Sequence, residues 1–265
     1  MILGAILGDI VGSRFEMENY HGATHNKTKE FDLFTKDCRF TDDTVMTVAV
    51  MKALLDCGGD WNQLEASTIR AFREIGRLYP DCGYSYMTKQ WILSDDMGPY
   101  NSCGNGSAMR SSPCGYAGIN IEEVELLARK VTEVTHSHPE GTKGAQAAAV
   151  CVYLARKGES KDRIRAYINE HYYPLDFTLD GIRDSYGFGR VCQDTVPQAI
   201  EAFLESTGFE DAIRNAISLG GDSDTLAAIA GSIADPYYGI PENLRAQALT
   251  FLNPHLMEII QAFDM

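Results

Sequence analysis

The sequence predicts an all-α fold, organised as a single compact domain over residues 1–265. Helix-start and helix-stop signals recur along the whole chain, and no short run alternates with the β-branched or aromatic enrichment typical of a strand. Predicted helices at 44–57, 144–156 and 225–234 are apolar or small on nearly every side, which is typical of helices at the centre of a domain. No Pro/Ser-rich linker or long charge block divides the chain.

Capping residues and stop signals define the helices of the first half. Thr41–Asp43 precedes a helix that is expected to end at Gly58. Asp60 with Gln63 forms a capping-box pattern, which predicts a second helix ending before Pro80.

The same signals continue in the second half. Asn120 with Glu123 opens a helix whose apolar positions form a single stripe. The stretch 144–156 ends in basic residues, which suit a helix C-terminus. A later helix stops at Gly220, and the apolar helix that follows is expected to end before Pro236.

Composition and charge exclude several classes of function. Acidic residues outnumber basic ones by 37 to 23, which gives a formal charge of −14 and disfavours general nucleic-acid binding and anionic membrane surfaces. No apolar run is long enough to span a membrane. The seven cysteines are widely spaced and form no CxxC pair, so a reducing, cytoplasmic location is expected.

Two similar acidic segments each run directly into an almost wholly apolar helix. They are Thr41–Thr44 and Gly220–Thr225. N-capping is the simplest interpretation, because Asp, Ser and Thr are preferred at helix starts. Each segment, however, offers more polar groups than a cap uses, and the helices behind them are predicted to be buried.

If the two segments converge, carboxylates from Asp42, Asp43, Asp222 and Asp224 meet in a buried place. Helix N-termini supply only about half a positive charge each, so these carboxylates need further compensation. Two divalent cations would balance four negative charges, and hard oxygen donors favour Mg²⁺ or Mn²⁺ over zinc. The sequence therefore indicates a site for two metal ions between two helix starts.

A glycine-rich loop and a histidine pair are weaker signals. In Gly104–Arg110, two glycines flank Asn105, and exposed backbone N–H groups there could cradle a phosphate. An ordinary turn explains the same loop equally well. His136 directly follows a buried apolar stripe, whereas His138 fits a surface residue near the end of the same helix.

The motifs TDDT, GNGSAMR, THSH and GGDSDTLAAIAGSIA, in this order, resemble those of the ADP-ribosylglycohydrolase family. The match extends from Ile2 to Gly239. The resemblance implies an orthogonal all-α multi-helix bundle with a binuclear magnesium or manganese centre. Carried over by position, the implied metal ligands are Thr41, Asp42, Asp43, Asp222, Asp224 and Thr225.

The resemblance also implies catalytic carboxylates and substrate contacts. Glu16 lies where family members place a glutamate near the metals, and Asp81 lies where some members carry a catalytic acidic residue. Phe188 is placed to stack on adenine. The other implied contacts to ADP-ribose are Ser102, Asn105, Gly106, Ser107, Met109 and His136. Asp235-Pro236 replaces the Gly-Ala of many relatives, which predicts a tighter turn after the last motif helix.

The resemblance, together with the two acidic motifs, implies a hydrolase that cleaves the bond at the anomeric carbon of ADP-ribosyl groups, with two Mg²⁺ or Mn²⁺ ions as cofactors. Such cleavage passes through an oxocarbenium-like transition state, and Glu16 or Asp81 would move the proton. The expected partner is an ADP-ribosylated protein or another modified acceptor, and the product is ADP-ribose. The alternatives are a two-metal phosphohydrolase, a non-catalytic ADP-ribose-binding relative and a helical scaffold with well-capped helices.

Overall fold

A computed structural model describes residues 2–21 and 27–264. These residues form fourteen α-helices and contain no β-strand; an isolated bridge joins Gly104 to Val191. The predicted all-α fold is therefore confirmed. The helices are α1 (Gly4–Tyr20), α2 (Asp42–Cys57), α3 (Leu64–Leu78), α4 (Tyr86–Leu93), α5 (Ser112–Ala117), α6 (Ile121–Glu133), α7 (Pro139–Arg156), α8 (Lys161–His171), α9 (Leu179–Arg183), α10 (Val196–Leu204), α11 (Phe209–Ser218), α12 (Ser223–Tyr238), α13 (Glu242–Leu249) and α14 (Pro254–Phe263).

Side-chain caps explain where several helices begin. Thr41 Oγ1 accepts a hydrogen bond from the Asp43 N–H at the start of α2, and that helix ends at Gly58, whose φ of 53° suits glycine. At the start of α6, Asn120 Oδ1 accepts a bond of 2.8 Å from the Glu123 N–H. Both starts agree with the sequence prediction.

Three predicted helix boundaries differ from the structure. The segment after Asp60 begins as a short 3-10 turn, Trp61–Gln63, before α3. Helix α7 begins earlier than expected, at Pro139, because His138 caps it by accepting a bond from the Glu140 N–H. His138 therefore lies at a helix start, not at the end of the preceding helix.

Helix α12 continues through Pro236 to Tyr238, and the prediction that it ends before the proline was wrong. The reason lies in Asp235, whose carboxylate accepts bonds from the Leu3 and Gly4 N–H groups at 3.0 and 2.9 Å. This contact ties the last turn of α12 to the first turn of α1. Pro236 cannot donate the helical hydrogen bond of its position, and the helix ends two residues later, at Tyr238.

Helix α12 lies at the centre of the fold and packs against α1, α7, α10 and α11. Its contact with α1 is unusually close, because glycines of α1 recur at every fourth position, Gly4, Gly8 and Gly12. A Cβ atom added at Gly8 would lie 2.0 Å from the Ala227 carbonyl oxygen. The two backbones therefore touch, which places the C-terminal half of α1 beside the start of α12.

Helix α2 completes the arrangement around the site. It packs against α1, α3 and α14, and its N-terminus faces the same region as the N-terminus of α12. Among the described residues, no helix is both long enough and apolar enough to cross a bilayer.

Candidate active site

One cavity of about 480 Å³ collects most of the predicted site residues. Its lining comes from α1, from the starts of α2, α4 and α12, and from the loops that precede α4, α5, α7 and α10. The predicted residues in this lining are Glu16, Asp42, Asp43, Ser102, Asn105, Gly106, Met109, His136, Asp222, Asp224 and Thr225. The lining also contains Tyr84, Tyr86, Arg110 and Arg190, for which the sequence analysis predicts no role.

Asp9, which the sequence prediction missed, fixes the start of α2 from within α1. Its buried carboxylate accepts bonds from the N–H groups of Thr41 and Thr44 at 2.9 and 3.0 Å, and from both threonine hydroxyls. Burial raises the pKa of Asp9, and these donors lower it in part. The available signal was a lone carboxylate inside the apolar run GAILGDIVG.

The two carboxylates of the first acidic motif are compensated poorly. Asp43 is 4% exposed, and its Oδ1 atom is buried with no hydrogen-bond partner among the described residues. Its Oδ2 atom accepts one long bond of 3.4 Å from Thr225 Oγ1. Burial and the nearby carboxylates of Asp9, Glu16 and Asp222 raise the pKa of Asp42 to about 8.

The second motif brings two further carboxylates to the same place. One oxygen each of Glu16, Asp222 and Asp224 lies within 4.8 Å of the other two. Burial, followed by repulsion from Glu16 and Asp222, raises the pKa of Asp224 well above its usual value. Burial and then Asp222 raise the pKa of Glu16. Three carboxylates this close need a cation or a proton between them.

The glycine-rich loop is attached to this cluster through Asn105. The Asn105 Nδ2 group donates to Asp222 Oδ2 at 2.8 Å and to Thr195 Oγ1 at 3.1 Å. Its backbone N–H donates to the Arg190 carbonyl oxygen at 2.9 Å. Asn105 therefore orients a predicted metal ligand as well as lining the cavity.

His136 and Ser102 lie next to the two glycines of this loop, Gly104 and Gly106. The Ser102 hydroxyl accepts a bond of 3.0 Å from the Gly104 N–H. His136 is 3% exposed, and a Cβ atom added at Gly106 would lie 3.4 Å from its Nε2 atom. The absence of a side chain at Gly106 thus keeps the imidazole edge open toward the cavity.

Four predicted site residues lie outside the cavity lining. The Asp81 side chain is 89% exposed and pairs with Lys89 at 3.2 Å. The buried Ser107 hydroxyl donates to the Gly141 carbonyl oxygen at 2.8 Å and lies 3.0 Å from the Gly104 carbonyl oxygen, so it supports the loop from outside the cavity. Thr41 donates its hydroxyl proton to Asp9, and Phe188 packs against Tyr20 and Arg190.

The donor set fits a divalent cation. The unpartnered Asp43 Oδ1 atom, the buried carboxylates of Asp222 and Asp224 and the half-buried carboxylate of Glu16 offer oxygens that few protein donors satisfy. Such hard oxygen ligands suit Mg²⁺ or Mn²⁺, and no cysteine or histidine belongs to the described group. This acidic cluster can therefore hold metal.

The sequence matches the family model described as ADP-ribosylglycohydrolase over residues 1–263. Similar proteins include human ADP-ribosylhydrolase ARH3, which is 27% identical over 91% of this chain and 85% of its own length. The ADP-ribosylarginine hydrolase Tri1 of Pseudomonas putida is 24% identical over 90% of this chain and 70% of its own length. An uncharacterized protein of Archaeoglobus fulgidus is 29% identical over 91% of this chain and 88% of its own length.

A solved structure described as an ADP-ribosylglycohydrolase-related protein complex has the same fold. It superposes with a TM-score of 0.68, covering 99% of this chain and 94% of that chain at 24% sequence identity. The likeness shows the shared all-α architecture.

Proposed function

Because the chain belongs to the ADP-ribosylglycohydrolase family, we propose that it hydrolyses the bond at the anomeric carbon of an ADP-ribosyl group. The reaction would release ADP-ribose from a modified acceptor. The observation that carries this proposal is the meeting of Glu16, Asp222 and Asp224 in a cavity that also contains Gly104 and Gly106 of the glycine-rich loop. The names of the ARH3 and Tri1 relatives, both ADP-ribosyl hydrolases, support the same activity.

The proposed cofactors are two divalent cations, Mg²⁺ or Mn²⁺. When bound, they would supply charge compensation, polarisation of substrate oxygens and a lowered pKa for a water molecule. The poor compensation of Asp43 supports this part of the proposal. The residues that would hold the ions are Thr41, Asp42, Asp43, Asp222, Asp224 and Thr225, with Glu16 beside them.

Glu16 is the proposed general base and acid. Its side chain is 20% exposed, so the carboxyl reaches the cavity while burial and Asp222 raise its pKa. A carboxyl with a raised pKa can take a proton from water and return it to the leaving group near neutral pH. Asp81, the other predicted carboxylate, lies in solvent and is the weaker candidate.

The loop around Gly104 and the side chain of His136 are proposed to bind the ADP-ribose. Glycines allow a diphosphate to approach the backbone closely, and Ser102 and Asn105 hold the loop in place. The surrounding carboxylates favour the positive charge that develops at the anomeric carbon. Met109, in the cavity lining, would add an apolar contact. Phe188 lies outside the lining but packs against Arg190, which belongs to it, and is the proposed contact for adenine.

The proposal is tested by product analysis. The purified chain is incubated with arginine-linked and serine-linked ADP-ribosyl peptides, in Mg²⁺, Mn²⁺ or chelator, and the products are identified by mass spectrometry. We expect free ADP-ribose and an unmodified peptide, lost in Glu16→Gln and retained in Asp81→Asn. Loss of turnover in Asp81→Asn with retention in Glu16→Gln would reverse the assignment of the base.

Two other results would replace the proposal with one of its alternatives. Formation of AMP and ribose phosphate would identify a two-metal phosphohydrolase, because the attacked atom would then be phosphorus. Binding of ADP-ribose without release from any acceptor, in either metal, would identify a non-catalytic relative.

A further inference from the structure

Arg110 is a buried cation without an acidic partner. Its side chain is 1% exposed, and no carboxylate among the described residues forms an ion pair with it. The guanidinium lies 4.7 Å from the centre of the Phe72 ring, and its Nε atom is buried without a hydrogen-bond partner. Burial lowers the pKa of Arg110 to about 10, so the side chain stays charged at neutral pH. Burying a charge without an acidic partner costs free energy, so the other contacts of Arg110 must offset that cost.

The hydrogen-bond acceptor of Arg110 is the side chain of Thr135. Arg110 Nη2 donates to Thr135 Oγ1 at 2.7 Å, so the threonine oxygen is an acceptor in that bond. The Thr135 hydroxyl proton then has two acceptors within hydrogen-bond geometry, His136 Nδ1 at 2.8 Å and the Thr132 carbonyl oxygen at 3.4 Å. The shorter distance lies in the normal range for a hydroxyl donor, and the longer one does not. The Tyr100 hydroxyl also lies near Thr135, but its hydrogen bond is with Thr88 Oγ1 at 3.0 Å. The hydroxyl therefore donates to His136 Nδ1.

An imidazole that accepts at Nδ1 carries its proton on Nε2 when it is neutral. Burial and the charge of Arg110 both keep His136 neutral, since both lower its pKa. The Nε2 atom makes no hydrogen bond to any other described residue, and it faces the loop at Gly106. One N–H donor thus remains unused at the cavity wall.

We propose that Arg110 and Thr135 are positioning residues that hold His136 as the Nε2–H tautomer, so that the ring presents one fixed donor to an oxygen of ADP-ribose. The identity of the ligand rests on the proposed function. The tautomer itself is a property of the ligand-free protein. Arg110 supplies the fixed donor that turns the threonine hydroxyl toward the imidazole, which explains why a cation is buried here.

The first test reads the tautomer directly. The full chain is labelled with ¹⁵N-histidine, and long-range ¹H–¹⁵N spectra show which ring nitrogen of each histidine carries the proton. The His136→Gln variant identifies the His136 signals. We expect Nε2–H in the wild-type chain and in Thr135→Ser, which keeps the hydroxyl. Thr135→Val removes the hydroxyl at nearly constant shape, and a loss of the fixed Nε2–H tautomer is expected there.

The second test measures ADP-ribose binding by calorimetry. Losing one well-placed neutral hydrogen bond should weaken binding about three- to tenfold in Thr135→Val, and Thr135→Ser should stay within about twofold. Arg110→Lys keeps the charge but loses the planar fork, so it should resemble Thr135→Val.

Several outcomes would overturn the proposal. They are an Nδ1–H tautomer in the wild-type chain, an unchanged tautomer in Thr135→Val, or unchanged ADP-ribose affinity in that variant. An Nδ1–H signal in the wild-type spectrum would overturn the proposal even if a variant does not fold. Absence of any ADP-ribose binding by the wild-type chain would remove His136's proposed ligand, whereas a wrong tautomer would leave the proposed function standing. The function itself fails only if no ADP-ribose is released from the modified peptides.

Discussion

Buried carboxylates of two kinds lie on three helices that pack together, α1, α2 and α12. Asp9 accepts hydrogen bonds from four donors, and Asp235 accepts two from the backbone of α1. Asp43 has one oxygen with no partner, and Asp224 accepts a bond from the neighbouring Thr225 N–H. The first kind is satisfied by the protein, and the second kind is left short of donors.

The difference is visible in what shifts each pKa. Burial raises the pKa of all four carboxyls. Backbone donors partly reverse this for Asp9 and Asp235. Neighbouring carboxylates raise the pKa of Asp43 and Asp224 further. Structural carboxylates are therefore those surrounded by donors, and ligand-binding carboxylates are those surrounded by one another.

The largest effect is expected from removing a carboxylate of the second kind. Asp222→Ala should lower turnover of an ADP-ribosylated peptide by at least about a thousandfold, because the site loses part of its electrostatic stabilisation of the transition state. Helical content should be largely retained. Asp56→Ala, which removes a solvent-exposed ion pair with Lys52 on α2, is the matched control and should change turnover little. Normal turnover in metal-replete Asp222→Ala would contradict the site.

The second prediction compares how much each kind of carboxylate contributes to the free energy of unfolding. Asp9→Ala should lower the free energy of unfolding by about 3–5 kcal/mol, because it leaves the donors of Thr41 and Thr44 buried and unpaired. In metal-free protein, Asp43→Asn should leave stability unchanged or higher, because it removes a charge that repels its neighbours. Urea unfolding in chelator measures both. If Asp9→Ala and Asp43→Asn lowered the free energy of unfolding equally, the two carboxylates would not be of different kinds.

Metal binding should stabilise the folded chain only through the carboxylates that are short of donors, such as Asp43 and Asp224. At a free Mg²⁺ concentration about a hundredfold above Kd, the native state should gain about 2.7 kcal/mol, seen as a rise in Tm that chelation reverses. Asp224→Asn should show a much smaller rise, since it weakens the site without touching Asp9. Thermal unfolding with and without Mg²⁺ or Mn²⁺ gives the answer. A wild-type Tm that is the same in chelator and in metal would mean that these carboxylates bind none.

Much of this distinction was accessible from the sequence. The helix starts at Thr41 and Asn120 follow from local capping chemistry, and the buried helices follow from their apolar composition. The two acidic motifs were recognised because each offers more carboxylates than a helix cap needs.

Other features depend on contacts between distant residues. Asp9 lies in an apolar run, and its role appears when α1 packs on the start of α2, 32 residues later. The continuation of α12 through Pro236 likewise needs the bonds from Asp235 to the start of α1. Predicting that His138 caps α7 requires the exact first residue of that helix, and sequence patterns define helix boundaries less well than helix positions. The glycines at every fourth position of α1 were an unused signal for the α1–α12 contact.

The smallest predicted effect extends the comparison from buried acids to a buried base. Burial lowers the pKa of His136 well below its usual 6.5, so the unfolded chain binds this proton at a higher pH than the folded chain does. The stability that His136 contributes is present above about pH 6.5 and is lost as pH falls toward its folded-state pKa. Between pH 6 and pH 5 the free energy of unfolding of the wild-type chain should fall by up to roughly 1 kcal/mol more than that of His136→Gln. Urea unfolding at several pH values in chelator, where metal binding does not contribute, measures the difference. Parallel pH profiles for the two chains would show that His136 is free to take up its proton in the folded state, and thus that Arg110 and burial do not keep it neutral.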